Sequence, residues 1–280
     1  MSSHSYVNGE YKANYLAKIS INDRSFHFAD AVYEVVAVHN KNLLFWSDHI
    51  IRLKNSLKKL NINFKKDLKV LYFICKELMK KNNLVEGIIY IHISRGIAKR
   101  NHNWSKSIEP VLVISCIKKG IFSLNPKKIS LISDKDIRWA NCHIKTVSLL
   151  PNVILKQKAL EKNAFECVLK DKNNFITEAT TSNIWILKNK CLITTPLSSN
   201  ILAGVTRKKV IEVALSIGIR VVEKKFKEEH IYNAESTFIT NSSSMILEAN
   251  RLNNKPLNVD KSGLINGLKL ELMKNIKNDC

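Results

Sequence analysis

No stretch of the 280-residue chain reaches the roughly 18 consecutive apolar residues that a membrane-spanning helix requires. The opening residues, Met1-Ser2-Ser3-His4-Ser5-Tyr6, also lack the apolar segment of a secretory leader. A soluble protein is expected. The six cysteines (Cys75, Cys116, Cys142, Cys167, Cys191 and Cys280) include no C-x-x-C pair and no tight cluster with histidine. That spacing argues against a disulfide framework and against a zinc centre, and it fits a reducing cytoplasm. No metal is expected. Acidic residues are few, 24 against 45 Lys and Arg, for a net charge of +21. A surplus of that size raises the question of nucleic acid or an anionic membrane as partner. The basic residues are spread along the chain, however, and no RNP, helix-turn-helix or zinc-finger pattern accompanies them. Neither partner is expected, whereas small anionic substrates would gain from the charge.

What is present is a chain with 45% hydrophobic residues, ample for a buried core. Residues 6–11 contain the hairpin signal Asn8-Gly9, and the β-branched run 31–38 precedes the turn Asn40-Lys41-Asn42. Ser47-Asp48 offers a cap for a helix from residue 49, and a second helix is expected over 67–81. Strands over 86–95 and 110–115 flank a polar loop at 96–109. A connection follows at 119–127, with Gly120 and Pro126 and no strong periodicity. Beyond it, strands are expected at 129–132, 166–170, 183–187, 191–195, 220–223 and 236–240. Helices are expected at 150–162, 206–216 and 261–277. The fold class is α/β to α+β in two domains, 1–118 and 128–280, joined by the linker at 119–127.

Lys145 is the residue around which the chemistry gathers. From Trp139 to Leu155 it is the only side chain certain to be charged at neutral pH. A lysine among apolar and small neutral groups loses hydration, which favours the neutral, nucleophilic amine. Downstream, Glu178 is the only carboxylate between Asp171 and Glu212. A lone amine to carry an aldehyde, and a lone acid to keep a pyridine nitrogen protonated, are the two groups that pyridoxal 5'-phosphate (PLP) chemistry asks of a protein.

The run Glu178-x-Thr180-x-x-Asn183-Ile184, then Leu192-x-Thr194, then Leu202-x-Gly204-Val205-x-Arg207 resembles the signature of the class IV (fold type IV) PLP enzymes. These include D-amino acid aminotransferases, branched-chain aminotransferases and aminodeoxychorismate lyases. Trp185 stands where that signature usually has Phe or Tyr, and Met245 where close relatives often have glutamate. The resemblance implies a small α/β domain with a larger pseudo-barrel domain that carries the PLP lysine, Lys145. It also implies that Glu178 serves the ring nitrogen. Arg52 of His49-x-x-Arg52-Leu53, the helix start Gly204-Val205-Thr206 and the turn containing Asn241 and Ser242 would hold the phosphate, since helix N-termini and hydroxyl-rich turns offer N–H and O–H donors.

By composition alone Arg100-Asn101-His102 is a solvated basic loop. The resemblance makes Arg100 and His102, with Tyr33, the binders of the substrate carboxylate, the pair coming from the neighbouring subunit of a homodimer. The implied reaction is that of a D-amino acid aminotransferase, D-alanine and 2-oxoglutarate giving pyruvate and D-glutamate. The alternatives are a branched-chain L-amino acid aminotransferase and an aminodeoxychorismate lyase.

Overall fold

The computed structural model describes residues 3–121 and 127–278; residues 122–126 of the expected linker lie outside them. The chain divides into two compact units, Met1–Ile121 with Ile144–Ser148, and Phe122–His143 with Leu149–Cys280.

In the first unit, β1 (His4–Val7) and β2 (Glu10–Ala13) form a hairpin. Its two-residue turn, Asn8-Gly9, takes positive φ at both positions (47° and 116°), the conformation that matches strand twist. α1 (Arg24–Phe28) leads into β3 (Ala31–His39) and β4 (Asn42–Leu43). Then come α2 (Trp46–Lys59), α3 (Val70–Lys81), β5 (Gly87–Ser94) and β6 (Val111–Lys118). The sheet order is β2-β1-β6-β5-β3-β4. Alternation along β3 and β5 sorts the side chains by face. Val32, Val36, Ile89, Ile91 and Ile93 join Leu53, Leu57, Leu71 and Leu78 of α2 and α3 in one buried core. Tyr33 falls on the face opposite that of its neighbour Glu34.

Two helices start elsewhere than expected. α2 begins at Trp46, after Phe45 in the left-handed region (φ 52°) and without a side-chain cap, so Asp48 lies within the first turn, where a carboxylate complements the helix dipole. α3 begins at Val70 because Asp67 instead closes a turn, accepting from the Lys69 N–H at 2.9 Å.

In the second unit, β7 (Ile129–Lys135), α4 (Leu150–Glu161), β8 (Glu166–Lys170), β9 (Ile176–Ala179), β10 (Asn183–Lys188) and β11 (Cys191–Thr194) come first. They are followed by α5 (Val205–Ser216), β12 (Arg220–Glu223), α6 (Glu228–Tyr232), β13 (Ser236–Asn241), β14 (Met245–Leu252), β15 (Lys255–Pro256) and α7 (Leu264–Asn278). Among the described residues the sheet has nine strands in the order β12-β11-β10-β13-β14-β7-β8-β9, with β15 on β14. The parallel pairs β7–β8 and β11–β12 are each joined through a helix, α4 and α5, as parallel neighbours require.

At the centre of this sheet Trp185 is fully buried and stacked on Phe238, with ring centroids 5.6 Å apart. Its indole N–H donates to Thr240 Oγ1 at 3.0 Å, a partner that Phe could not supply and Tyr would reach differently. Trp185→Phe should therefore lower the unfolding free energy by about 1–3 kcal/mol, the lost hydrogen bond plus the smaller ring, measured as a shift in urea midpoint. An unchanged midpoint would show that the stack tolerates the exchange.

Candidate active site

The segment Ile144–Ser148 leaves the second unit and is laid along β3. The Tyr33 N–H donates to the Lys145 carbonyl (3.0 Å), the Val147 N–H donates to the Ala31 carbonyl (3.2 Å), and Val32 bridges Thr146. The Lys145 N–H donates to Ser56 Oγ of α2 at 3.2 Å. This is why the lysine groups with the first unit and not with residues 128–280, where it was expected. Its Nζ lies 4.3 Å from the centroid of the Tyr33 ring, so two of the residues singled out from sequence are brought together by one strand edge.

Behind Tyr33, on the other face of β3, Glu34 is fully buried. Arg52 grips it with two bonds, Nε to Oε1 and Nη2 to Oε2, both 2.8 Å, and His49 Nδ1 lies 2.7 Å from Oε2. Burial would raise the Glu34 carboxyl, but Arg52 and His49 together hold it well below the usual carboxylate range. Burial also pushes His49 down, against the pull of Glu34. A neutral His49 donates its Nδ1 hydrogen to an ionised Glu34, and the pair fixes the Arg52 guanidinium in place.

Arg100 and His102 are exposed, and both rest on Phe28, the last residue of α1. The Arg100 guanidinium is 5.5 Å from the ring centroid and the His102 ring 5.3 Å. Beneath this loop the buried Arg24 and Arg95 close on the half-buried Asp30, Arg24 Nε to Asp30 Oδ2 (2.8 Å) and Arg95 Nε to the same oxygen (2.7 Å).

In the second unit Glu178 is buried at the end of β9. Each of its partners is a donor: the Arg138 guanidinium, the Asn183 amide (3.0 Å) and the Leu202 N–H (3.2 Å). Burial nevertheless outweighs them and pushes its carboxyl up to about 7. Arg138 is itself held by Asp136, Nη2 to Oδ2 at 2.7 Å and Nε to Oδ1 at 2.9 Å. Thr177 Oγ1 adds a bond to Asp136 at 2.8 Å. The hydroxyl-rich turn after Glu178 closes on Glu166, which accepts from Thr180 Oγ1 (3.1 Å), Thr181 Oγ1 (2.7 Å) and Ser182 Oγ (2.8 Å). Sequence reasoning assigned no role to Arg138 or Glu166. The signals available were Asp136 and Arg138 two residues apart, and a run of hydroxyls in need of an acceptor.

Gly204 precedes α5, where no side chain caps the first turn. A Cβ on Gly204 would lie 2.1 Å from Asn183 Oδ1, so only glycine lets the Asn183 amide reach both Glu178 and the Leu202 carbonyl. Thr206 Oγ1 is buried with no hydrogen-bond partner. An uncapped start of a twelve-residue helix with an unpartnered buried hydroxyl offers donors of the kind that fit a phosphate. Asn241 closes the β13–β14 turn, accepting from the Ser243 N–H (3.0 Å) and donating to Ser182 Oγ (2.8 Å), with Ser242 next to it. Its carboxamide is engaged at both ends. The turn closes on Met245, which has positive φ (54°), and β14 beyond it had not been read as a strand.

Two solved structures share this fold. A branched-chain amino acid aminotransferase of Escherichia coli is similar with a TM-score of 0.91 at 20% identity, over 99% of this chain and 95% of that one. A putative 4-amino-4-deoxychorismate lyase of Legionella pneumophila gives 0.85 at 24% identity, over 94% and 97%. The fold is accordingly that of the fold type IV enzymes. The family model for class IV amino-transferases matches residues 31–252, and the chain belongs to that family. A relative, the D-alanine aminotransferase of Bacillus licheniformis, is 32% identical over 247 residues, 86% of this chain and 85% of that protein.

The raised carboxyl of Glu178 has a consequence for stability. Its proton is held more tightly in the folded chain than in the unfolded one, so the stability it contributes is complete below about 4.5 and is lost as pH rises through about 7. Glu178→Gln cannot titrate. In cofactor-free protein, the unfolding free energy of wild type relative to this variant should fall between those two pH values, and a difference independent of pH would contradict the buried-acid account.

Proposed function

We propose that the protein is a cytoplasmic, homodimeric D-amino acid aminotransferase that uses PLP to pass the amino group of D-alanine to 2-oxoglutarate, giving pyruvate and D-glutamate. When bound, PLP supplies an electron sink for the carbanion formed as the α-hydrogen leaves. Lys145 carries the cofactor. Its Nζ removes the proton from Cα of the incoming amino acid and returns one to Cα in the second half-reaction. Glu178 keeps the ring nitrogen protonated, held in turn by Arg138 and Asn183. Arg52, Gly204, Val205, Thr206, Asn241 and Ser242 hold the phosphate. The unpartnered Thr206 hydroxyl at the start of α5 supports that assignment, as does the fixed fork of Arg52.

The observation that carries the substrate assignment is the alternation Arg100-x-His102, both exposed and both resting on Phe28. A guanidinium and an imidazole two residues apart offer a directional grip on a carboxylate. With Tyr33 they would fix the α-carboxylate, Arg100 and His102 reaching the site of the neighbouring subunit. Holding the carboxylate on one side also selects which hydrogen at Cα faces Lys145, so handedness follows from its position. The sequence similarity to a D-alanine aminotransferase over most of both chains supports the same choice.

A coupled assay of the purified protein with D-alanine, L-leucine and aminodeoxychorismate in parallel tests this directly. D-Alanine should be the best substrate, and Arg100→Met should lower kcat/KM for it by about one to two factors of ten, as expected for a lost charge-assisted contact. Faster turnover of L-leucine would replace the assignment with a branched-chain enzyme, and pyruvate release from aminodeoxychorismate would replace it with a lyase.

A further inference from the structure

We propose that Arg24 is a positioning residue for substrate binding: its guanidinium clamps the backbone carbonyls of residues 101–103 and so sets where Arg100 and His102 point. This rests on the carboxylate-binding role assigned to those two side chains. The loop over 96–110 has no strand or helix of its own, and a pair of donors on it would bind poorly if it wandered. Arg24, only 3% exposed, donates from Nη1 to the carbonyls of Asn101 (2.6 Å) and Asn103 (3.3 Å), and from Nη2 to that of His102 (3.2 Å). Three successive carbonyls are held by one planar group.

The clamp is anchored in turn. Arg24 Nε is bound to Asp30, and Arg95 binds both oxygens of Asp30 (2.7 and 3.0 Å) while donating to the Leu60 and Asn61 carbonyls just after α2 (2.7 and 3.0 Å). Burial would raise the Asp30 carboxyl, but the two arginines hold it down, so one anion faces two cations. Phe28 completes the platform: the Arg24 guanidinium lies 4.8 Å from its ring centroid, on the same ring that supports Arg100 and His102. The base of the loop is pinched at Gly96, where a Cβ would meet the Glu109 carbonyl oxygen at 2.0 Å. A lysine at position 24 would keep a charge near Asp30 but could not span three carbonyls, because an ammonium lacks the fork.

The test uses the full-length, PLP-loaded protein. Steady-state kinetics with D-alanine are measured for wild type, Arg24→Lys, Arg24→Gln, Arg100→Met and the double variant Arg24→Lys/Arg100→Met, alongside hydrogen exchange of the loop. Arg24→Lys should raise KM about tenfold with kcat within about twofold, and should speed exchange at residues 100–104 without speeding it in β3 or β5. In the Arg100→Met background it should add less than in wild type, since only His102 is left to be positioned. A staple needed only for folding would lower active fraction and melting temperature and leave KM unmoved. If Arg100→Met raises KM while Arg24→Lys changes neither KM nor loop exchange, the clamp is overturned and the carboxylate site stands. If Arg100→Met leaves KM unchanged, the carboxylate site falls and the clamp's role falls with it. Should Arg24→Lys fail to fold, Arg24→Gln decides, because it removes the fork and keeps a neutral donor: a raised KM with faster exchange at residues 100–104 supports the proposal, and an unchanged KM and exchange overturn it.

Discussion

The two hydrogen bonds that lay residues 145–147 along β3 are the constraint on which the site depends. A lysine side chain is long and flexible, and ordering it costs roughly 2 kcal/mol of rotamer entropy. Binding its backbone to the strand edge, and its N–H to Ser56, removes the first part of that freedom and leaves Nζ beside the Tyr33 ring. The strand works on both faces. Tyr33 meets the lysine, and Glu34, one residue on, takes hold of His49 and Arg52 in α2. The pleat alone thus places one proposed phosphate ligand and one proposed substrate ligand from adjacent positions.

A second principle runs through the other unit, where charges are buried only in the company of fixed donors. Glu178 sits among Arg138, Asn183 and Leu202, Arg138 is held by Asp136, and Glu166 collects the hydroxyls of the turn between Glu178 and Asn183. Such a network resists rearrangement, since losing one partner leaves another polar group buried and unsatisfied. The start of α5 is one exception, and Thr237 Oγ1 on β13 is another. At α5 the Thr206 hydroxyl is buried without a partner and no side chain caps the helix, an arrangement of donors that would suit an anion.

Much of this was legible in the sequence because the signals were local. Asn8-Gly9 marked its hairpin and the β-branched run marked β3, while the isolation of Lys145 and Glu178 from other charges in the sequence singled both out as candidates. What escaped were groups defined by partners far along the chain. Arg24, Asp30 and Arg95 meet only when α1, β3 and β5 assemble, and Arg138 meets Glu178 across 40 residues. β14 was missed because Met245-Ile-Leu-Glu-Ala-Asn-Arg-Leu252 carries no β-branched alternation; its neighbours in the sheet, β13 and β7, impose the extended form. The backbone bonds of the lysine segment to β3 were likewise not legible, since they join residues more than a hundred positions apart.

The central claim is that Lys145 is the lysine that carries the cofactor, among the many this chain possesses. Borohydride reduction of the PLP-loaded protein, followed by peptide mapping, tests it most directly, because the reduced bond is permanent and its position can be read. The account predicts phosphopyridoxyl label on the peptide containing Lys145, and no such label in Lys145→Ala. Label concentrated on any other lysine would contradict it.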